Sequence, residues 1–283
     1  MATEIWTVLK ILTWTKEYLA GKGVDNARLE SEWLLSALLG LDRVGLYVNF
    51  DKPLSESELA AYRLMVVRRA RREPLQYILG TQEFMGLEFE TTPAALIPRH
   101  DTETLVEEAI KRGRGVNRIL DIGVGSGCIA VALAMNLPDA RVYGVDQSAP
   151  ALELAARNAE KHGVAVTLVQ GSLFEPFNDT RFDLIVANPP YIPTAEIASL
   201  QPEVREYEPM DALDGGVDGL DFFRSIIPAA PDHLSPGAWL LFEAGIGQAE
   251  SVLGLFAGTG RFEDLFTAKD SAGIERVVGG RIV

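Results

Sequence analysis

The sequence predicts an α/β protein in which a mostly parallel, doubly wound sheet follows a smaller helical domain. Apolar runs of strand length alternate with helical segments beyond residue 115, and a glycine-rich loop joins the first of these strands to a helix. Asp146 and Asn188 stand at the ends of two later strands. Because ligands bind at the carboxyl ends of the strands in such a sheet, we expect the functional residues along that edge.

Composition restricts the function before any motif is considered. The 283 residues are enough for one large and one small domain. Acidic residues outnumber basic ones by 40 to 26, and the formal charge of −14 disfavours direct binding to nucleic acid. Cys128 is the single cysteine, so we expect no internal disulfide and a cytoplasmic location. Lys10 and Glu17 interrupt the apolar N-terminal region, which argues against a signal peptide or a membrane span.

Residues 1–73 are predicted to form a helical domain. Apolar side chains recur at helical spacing after Thr3, which is a candidate N-cap, and Gly21 is a candidate stop signal. A second helix fits residues 26–39, between further cap and stop signals.

A third helix is predicted over residues 59–72. Ser55 and Glu58 form a capping-box pattern ahead of it, and Pro74 blocks its continuation. Its arginine residues are Arg63, Arg68, Arg69, Arg71 and Arg72. This cluster is interpreted either as a docking surface for an acidic macromolecule or as a solvated helix end that complements the helix dipole.

Residues 74–100 are predicted to form a β-hairpin linker with a turn at 85–86, and residues 101–283 form the α/β domain. That domain opens with a helix that Asp101 or Thr102 can cap. Its strands are predicted over residues 116–121, 141–145, 165–170, 182–187, 239–243, 261–266 and 274–278. Its later helices are predicted over residues 128–137, 149–162 and 220–233 and beyond residue 248. Right-handed crossovers between such elements give a mostly parallel sheet.

The glycine-rich loop favours one class of cofactor. It consists of Gly123, Val124, Gly125, Ser126 and Gly127. A dinucleotide fingerprint needs its last glycine at the sixth position, which is Cys128 in this chain. Tight glycine packing without a pyrophosphate suits S-adenosylmethionine better than NAD, and Asp146 can accept both hydroxyls of a ribose. NAD remains the alternative from these residues alone.

A candidate substrate site follows the apolar run 182–187. It consists of Asn188, Pro189, Pro190 and Tyr191. The Asn188 carboxamide oxygen can accept one N–H of a planar amide or amine, and the Pro189 carbonyl can accept the other. Proline restricts the backbone that carries these acceptors, and the Tyr191 ring offers a π face. Asn188, Pro189 and Tyr191 are therefore the candidate catalytic residues, with an ordinary proline-rich turn as the alternative.

These motifs together resemble a known family. Residues 121–127 and 188–191 are similar to those of class I methyltransferases that modify amino groups. Further stretches of the chain narrow the resemblance to one family of these enzymes. They are Pro74-Leu-Gln-Tyr-Ile-Leu-Gly80, Leu96-Ile-Pro-Arg-His-Asp-Thr-Glu103, Glu203-Val-Arg-Glu-Tyr-Glu-Pro209, Ala212-Leu213 and Gly215-Gly216. On these stretches the chain is identified as a member of the HemK/PrmC family of release factor glutamine methyltransferases.

The resemblance implies a class I, Rossmann-like methyltransferase fold with a seven-stranded sheet. It also implies methyl transfer from S-adenosylmethionine to the N5 amide nitrogen of the glutamine in the Gly-Gly-Gln motif of bacterial class I release factors, which modulates translation termination and leaves S-adenosylhomocysteine. In that family the N-terminal helical domain helps to hold the release factor. Carried onto this chain, the cofactor-binding residues are Gly123, Val124, Gly125, Ser126, Gly127, Asp146, Ser172, Leu173 and Asn188. The substrate-binding residues are Asn188, Pro189, Pro190 and Tyr191.

The chain departs from the family pattern at three positions. Ser172 and Leu173 stand where family members often carry an acidic residue for the adenine amine and an aromatic residue for its ring. His100 stands where the family usually has a second proline after Arg99. At the adenine contacts, Ser172 can still accept a hydrogen bond but lacks the negative charge, and His100 is interpreted as a tolerated loop substitution.

The rival prediction is an N6-adenine or N2-guanine methyltransferase acting on DNA or rRNA. Similar motifs hold the amines of flipped bases, and the arginine cluster favours this alternative, whereas the acidic balance disfavours it. A binding module that has kept the fold without the activity is the non-enzymatic alternative. The protein is expected to be a monomer without a bound metal or a membrane partner.

Overall fold

The computed structural model describes residues 5–283. The helices are α1 (Val8–Ala20), α2 (Ala27–Leu39), α3 (Arg43–Val48), α4 (Glu56–Ala70), α5 (Leu75–Leu79), α6 (Glu103–Arg112), α7 (Cys128–Asn136), α8 (Ala149–Lys161), α9 (Pro202–Tyr207), α10 (Asp221–Ala229) and α11 (Ala249–Thr259). The strands are β1 (Thr81–Phe84), β2 (Leu87–Glu90), β3 (Arg118–Ile122), β4 (Arg141–Asp146), β5 (Val166–Gln170), β6 (Phe182–Ala187), β7 (Leu234–Glu243), β8 (Phe262–Lys269) and β9 (Glu275–Ile282).

Two compact units are formed by these elements. The helical unit comprises the described residues up to Gly80 together with Pro202–Tyr207, and the α/β unit comprises Thr81–Gln201 and Glu208–Val283. By their contacts, α5 and α9 belong to the helical unit and the β1–β2 hairpin to the α/β unit. The division into domains 1–73, 74–100 and 101–283 stays a prediction.

The first helix starts later than the sequence pattern indicated. The Thr7 hydroxyl accepts a hydrogen bond from the Lys10 N–H and caps α1, whereas the predicted cap, Thr3, lies outside the described residues. The predicted stop at Gly21 is confirmed. The helical core contains fully buried side chains, which include Val8, Leu19, Leu34, Leu35, Leu46 and Tyr62.

The predicted capping box ahead of α4 is confirmed. The Ser55 hydroxyl accepts the Glu58 N–H, and the Glu58 carboxylate accepts the Ser55 N–H at 2.7 Å. This reciprocal pair satisfies two donors that a helix start would otherwise leave without partners.

Acidic residues of the helical unit bind most of the arginine cluster. Arg69 pairs with Glu30 and with Glu203 of α9, and Arg72 pairs with the other oxygen of Glu203 at 2.7 Å. Arg68 pairs with Glu73. These three guanidinium groups therefore hold the helical unit together, which neither interpretation of the cluster had anticipated. Arg63 and Arg71 are exposed.

Three short helices were not predicted. α3, α5 and α9 have only five or six residues each, which is too short for helical periodicity to show. The prediction of β structure from Pro74 onward was wrong over α5, because Pro74 and Gly80 bracket a single helical turn there. The predicted turn at Met85-Gly86 is confirmed as the connection between β1 and β2.

The larger sheet has seven strands in the order β5-β4-β3-β6-β7-β9-β8, and β9 runs in the direction opposite to the other six. This confirms the predicted fold class. Side chains of the central strands alternate between two apolar clusters: Ile185 of β6 belongs to one, and Leu184 and Val186 belong to the other. Because helices cover both faces of a doubly wound sheet, these strands are apolar on both sides.

The register of the parallel strands brings four chain segments to one edge. Ile122 of β3 lies beside Val145 of β4 and Ala187 of β6, and Ala187 lies beside Phe242 of β7. The residues that follow are Gly123, Asp146, Asn188 and Glu243. Parallel pairing thus places the glycine loop between the acid that ends β4 and the motif that follows β6. Among the described residues, no helix combines the length and hydropathy that crossing a membrane requires.

Candidate functional site

The glycine loop after β3 adopts a backbone that few other residues could adopt. Gly123, Gly125 and Gly127 have φ angles of +74°, +53° and +82°. A Cβ on Gly127 would lie 3.0 Å from the Cβ of Ala155 in α8, closer than side chains normally approach. The N–H groups of Gly123 and Val124 both donate to the Val145 carbonyl, so the loop is attached to the end of β4. Glycine is therefore required here for conformation and for packing.

Asp146 holds this loop through backbone hydrogen bonds. Its Oδ2 accepts the Gly125 N–H at 2.9 Å, and its Oδ1 accepts the Ser148 N–H at 2.9 Å. A carboxylate has about four acceptor positions, so both oxygens can accept further hydrogen bonds.

A cavity of about 780 Å³ opens beside the loop, and most of the predicted site residues line it. Its lining includes Gly123, Val124, Gly125, Ser126, Asp146, Leu173, Asn188, Pro189 and Pro190. Among the described residues, the predicted members outside the lining are Gly127, Ser172 and Tyr191. Cavities of roughly 300–1,000 Å³ are typical of sites for small molecules and cofactors.

Two loops that line the cavity were not assigned to the site from the sequence, although both lie in the stretches that carried the resemblance. One contains Ile97 and Arg99, and the other runs from Pro209 to Ala212. The buried Glu208 carboxylate joins them, because its Oε2 accepts the Ile97 N–H at 3.1 Å and its Oε1 accepts from the Arg99 guanidinium. Glu208 thus fixes one wall of the cavity.

Asn188 is oriented by a residue from a distant part of the chain. Its Nδ2 donates to the Thr102 Oγ1 at 3.1 Å, and both residues line the cavity. This bond leaves the Asn188 Oδ1 available as an acceptor. A Cβ on Gly215 would come within 2.8 Å of the Pro190 carbonyl oxygen, so a glycine is needed where the chain packs against the motif.

Tyr191 has a buried partner instead of a place in the cavity lining. Its hydroxyl donates to the Glu243 Oε1 at 3.2 Å, and its carbonyl accepts from the Gln248 side chain at 2.9 Å. Burial raises the pKa of Tyr191, and the nearby Glu243 charge acts in the same direction. The hydroxyl therefore stays protonated and serves as a donor. Its predicted role in binding substrate through the ring face stays a prediction.

Three buried groups at this edge keep their protons more firmly than usual. Burial raises the pKa of Asp121 well above its ordinary value, and it also raises the pKa of Glu243. Burial raises the pKa of the Cys128 thiol to about 12, so a thiolate nucleophile is excluded at neutral pH. Within residues 5–283, no group of three or more His, Cys, Asp or Glu side chains is placed to hold a metal ion.

The three residues that depart from the family pattern differ in their relation to the cavity. Leu173 lines the cavity with a left-handed backbone, φ +49°, which is uncommon outside glycine. The Ser172 N–H donates to the Glu175 carboxylate at 3.3 Å. His100 is exposed, with its Nδ1 3.4 Å from Glu103. Only Leu173 of these three contributes to the cavity wall.

Family models match both parts of the chain. Residues 10–80 match the PrmC N-terminal domain, and residues 100–200 match the methyltransferase small domain. The chain is 70% identical to a release factor glutamine methyltransferase of Geobacter sulfurreducens over 279 residues, which cover 99% of this chain and 98% of the relative. It is 43% identical to the protein of that name in Gloeobacter violaceus, covering 94% of each chain.

Solved structures share the fold at low identity. A methyltransferase from Pyrococcus furiosus is similar with a TM-score of 0.52 and 21% identity, covering 70% of this chain and 89% of the other. The hMettl16 catalytic domain is similar with a TM-score of 0.54 and 15% identity, covering 81% of this chain and 84% of the other. At these identities the likeness concerns the fold alone.

Proposed function

We propose, because this chain belongs to the release factor glutamine methyltransferase family, that it transfers a methyl group from S-adenosylmethionine to a glutamine of bacterial class I release factors. The acceptor atom is the N5 amide nitrogen of the glutamine in the Gly-Gly-Gln motif, and S-adenosylhomocysteine is the second product. The observation that carries this proposal is the Asn188 carboxamide, whose Nδ2 is bound by Thr102 inside the cavity while its Oδ1 remains an acceptor.

The cavity has the features that S-adenosylmethionine requires. The glycine loop allows a ligand to approach the backbone closely, and Asp146 keeps acceptor capacity that suits ribose hydroxyls. Apolar side chains along the wall suit an adenine ring; they include Ile122, Val145, Leu173, Phe222 and Ile226. When bound, the cofactor supplies an electrophilic methyl group on a sulfonium. The predicted cofactor contacts of Gly127 and Ser172 are the two that the lining does not support.

The chain acts on the nitrogen of the substrate amide by accepting hydrogen bonds from its N–H groups. An amide nitrogen is a weak nucleophile because its lone pair is delocalised. Asn188 and Pro189 both line the cavity, and in this proposal Asn188 Oδ1 and the Pro189 carbonyl accept the two N–H groups and stabilise positive charge on the nitrogen, as preorganised dipoles do in other enzymes. Holding the amide in one orientation lowers the entropic part of the barrier. Cys128, with its raised pKa, cannot act as a base or nucleophile.

A base methyltransferase receives no support from the charge distribution. Arg68, Arg69 and Arg72 are bound by carboxylates of their own unit, which removes most of the basic patch that had favoured nucleic acid. The formal charge of −14 acts against phosphate binding as well.

The proposal is tested by mass spectrometry of a purified class I release factor after incubation with this protein and S-adenosylmethionine. We expect one added methyl group on the Gly-Gly-Gln glutamine. A release factor in which that glutamine is replaced by glutamate is the matched control and should stay unmodified. Transfer to ribosomal RNA or DNA instead of the release factor would contradict the proposal.

A further inference from the structure

Glu243 is a buried acid directly behind the proposed substrate motif. It ends β7, the parallel neighbour of β6, and the pairing of Ala187 with Phe242 places it beside Asn188. Its side chain is about 1% exposed, and one carboxyl oxygen has no hydrogen-bond partner among the described residues. A buried acid in this state is costly to keep, so its presence calls for a function.

Two hydroxyl groups contact this carboxyl group. The Tyr191 hydroxyl donates to Oε1 at 3.2 Å, and the Thr102 side chain lies close enough to the carboxyl group to act on its pKa. Thr102 is the same residue that accepts from the Asn188 Nδ2 at 3.1 Å. Glu243 is thus linked through one hydroxyl to Asn188 and through the other to Tyr191, at the two ends of the motif.

A carboxylate fixes the direction of these hydrogen bonds. An ionised carboxyl group can only accept, so the Thr102 and Tyr191 hydroxyls must donate to Glu243. The Thr102 oxygen then has only lone pairs to offer to Asn188. It can accept a hydrogen bond from the Asn188 Nδ2 but cannot donate one to the Asn188 Oδ1. Burial raises the pKa of Glu243 and the nearby Arg276 charge opposes this shift, so the carboxyl group takes this acceptor-only form at a pH above its raised pKa.

We propose that Glu243 and Thr102 are positioning residues that hold the Asn188 carboxamide in the one orientation in which its Oδ1 can accept the substrate amide. This assignment rests on the proposed function. Tyr191 is fixed by the same carboxyl group, so the motif is held at both ends by an acid that does not line the cavity.

The test uses isosteric substitutions in the full-length protein. Thr102→Val keeps the shape and removes the hydroxyl, Thr102→Ser keeps the hydroxyl, and Glu243→Gln keeps the shape and removes the acceptor-only carboxylate. For Thr102→Val and Glu243→Gln we expect kcat to fall about tenfold or more, the scale of one lost hydrogen bond to a positioned group. For Thr102→Ser we expect kcat to stay within about threefold of the wild-type value, because the serine hydroxyl can make the same hydrogen bonds.

The cofactor dissociation constant, measured by calorimetry, separates positioning from packing. We expect it to stay unchanged in all three variants, with the loss confined to kcat for the release factor. Thr104→Val, two residues further along the chain in α6 and outside the cavity lining, is the matched control and should leave kcat unchanged.

Each other outcome overturns the assignment. Wild-type kcat in both Thr102→Val and Glu243→Gln would contradict it. Equal losses of kcat in Thr102→Ser and Thr102→Val would also contradict it, because they would indicate packing alone. If the unsubstituted protein bound the cofactor but transferred no methyl group to a release factor, the proposed function would fail and the assignment with it.

Discussion

Asp146 and Glu243 end two strands of the same sheet, and they are held by different parts of the chain. Asp146 accepts backbone N–H groups from Gly125 and Ser148, the latter only two residues away. Glu243 accepts the hydroxyl of Tyr191, 52 residues away, and it interacts with the Thr102 side chain. The cofactor side of the site is therefore built from local backbone, and the substrate side from side chains that only the fold brings together.

This difference explains why the cofactor side of the site could be predicted from the sequence better than the substrate side. A glycine pattern followed by an acid at the next strand end is visible in the sequence, because the loop and the carboxylate belong to one short supersecondary unit. The partners of Asn188 are not visible in this way. Substitutions on each side of the site test whether cofactor binding and turnover are lost separately.

Apart from the loss of Asn188 itself, the largest effect is expected at the cofactor side. Asp146→Ala removes an acceptor from the glycine loop and from the ribose, and charged hydrogen bonds of about 1.5–3 kcal/mol each would raise the cofactor dissociation constant roughly 100-fold. Calorimetric titration with S-adenosylmethionine measures this. Asp146→Asn keeps one acceptor and should lose less. An unchanged dissociation constant in Asp146→Ala would show that the ribose binds elsewhere.

The next effect is expected at the substrate side. Tyr191→Phe removes the hydroxyl that donates to Glu243 and should lower kcat about five- to tenfold while cofactor affinity stays unchanged. Because both groups act through one hydrogen bond, the double variant Tyr191→Phe with Glu243→Gln should lose less than the product of the single losses. Fully multiplicative losses would show that the two side chains act independently.

A smaller effect separates backbone strain from packing in the glycine loop. Gly127 and Gly163 both have left-handed backbones, but only Gly127 lies against Ala155. Gly163→Ala should lower the free energy of unfolding by about 1 kcal/mol, and Gly127→Ala by roughly 1–3 kcal/mol more. Denaturation in urea measures both. Equal losses would mean that α8 shifts to accommodate the methyl group.

The smallest effect concerns stability against pH. Burial raises the pKa of Glu243 above its ordinary value of 4.5, so the folded state binds this proton more tightly than the unfolded state. The contribution of Glu243 to the free energy of unfolding is therefore lost as pH rises above 4.5 through the folded-state pKa. Glu243→Gln should gain stability relative to the wild type over that range. A constant difference at all pH values would contradict the raised pKa.

The fold was predictable wherever a segment carried its own pattern. β6 was predicted with its observed bounds, and α7 and α8 within one residue at their ends, because apolar runs and cap residues mark them locally. α3, α5 and α9 were missed because one or two helical turns have no periodicity.

The site divides in the same way. The glycine loop and the ends of β4 and β6 could be assigned, whereas Thr102, Glu208 and Glu243 take part through contacts over long sequence distances. For Glu243 a signal was present, since it ends a predicted strand just as Asp146 does. The rule that singled out Asp146 applies to it equally.

The central claim is that the Asn188 carboxamide holds the substrate amide. Asn188→Ala removes that acceptor, and its turnover with a saturating release factor tests the claim most directly. We predict a loss of about 10²–10³, the size observed when one preorganised hydrogen-bonding group is removed from an active site. Turnover close to that of the wild type, with the cofactor bound normally, would contradict the claim.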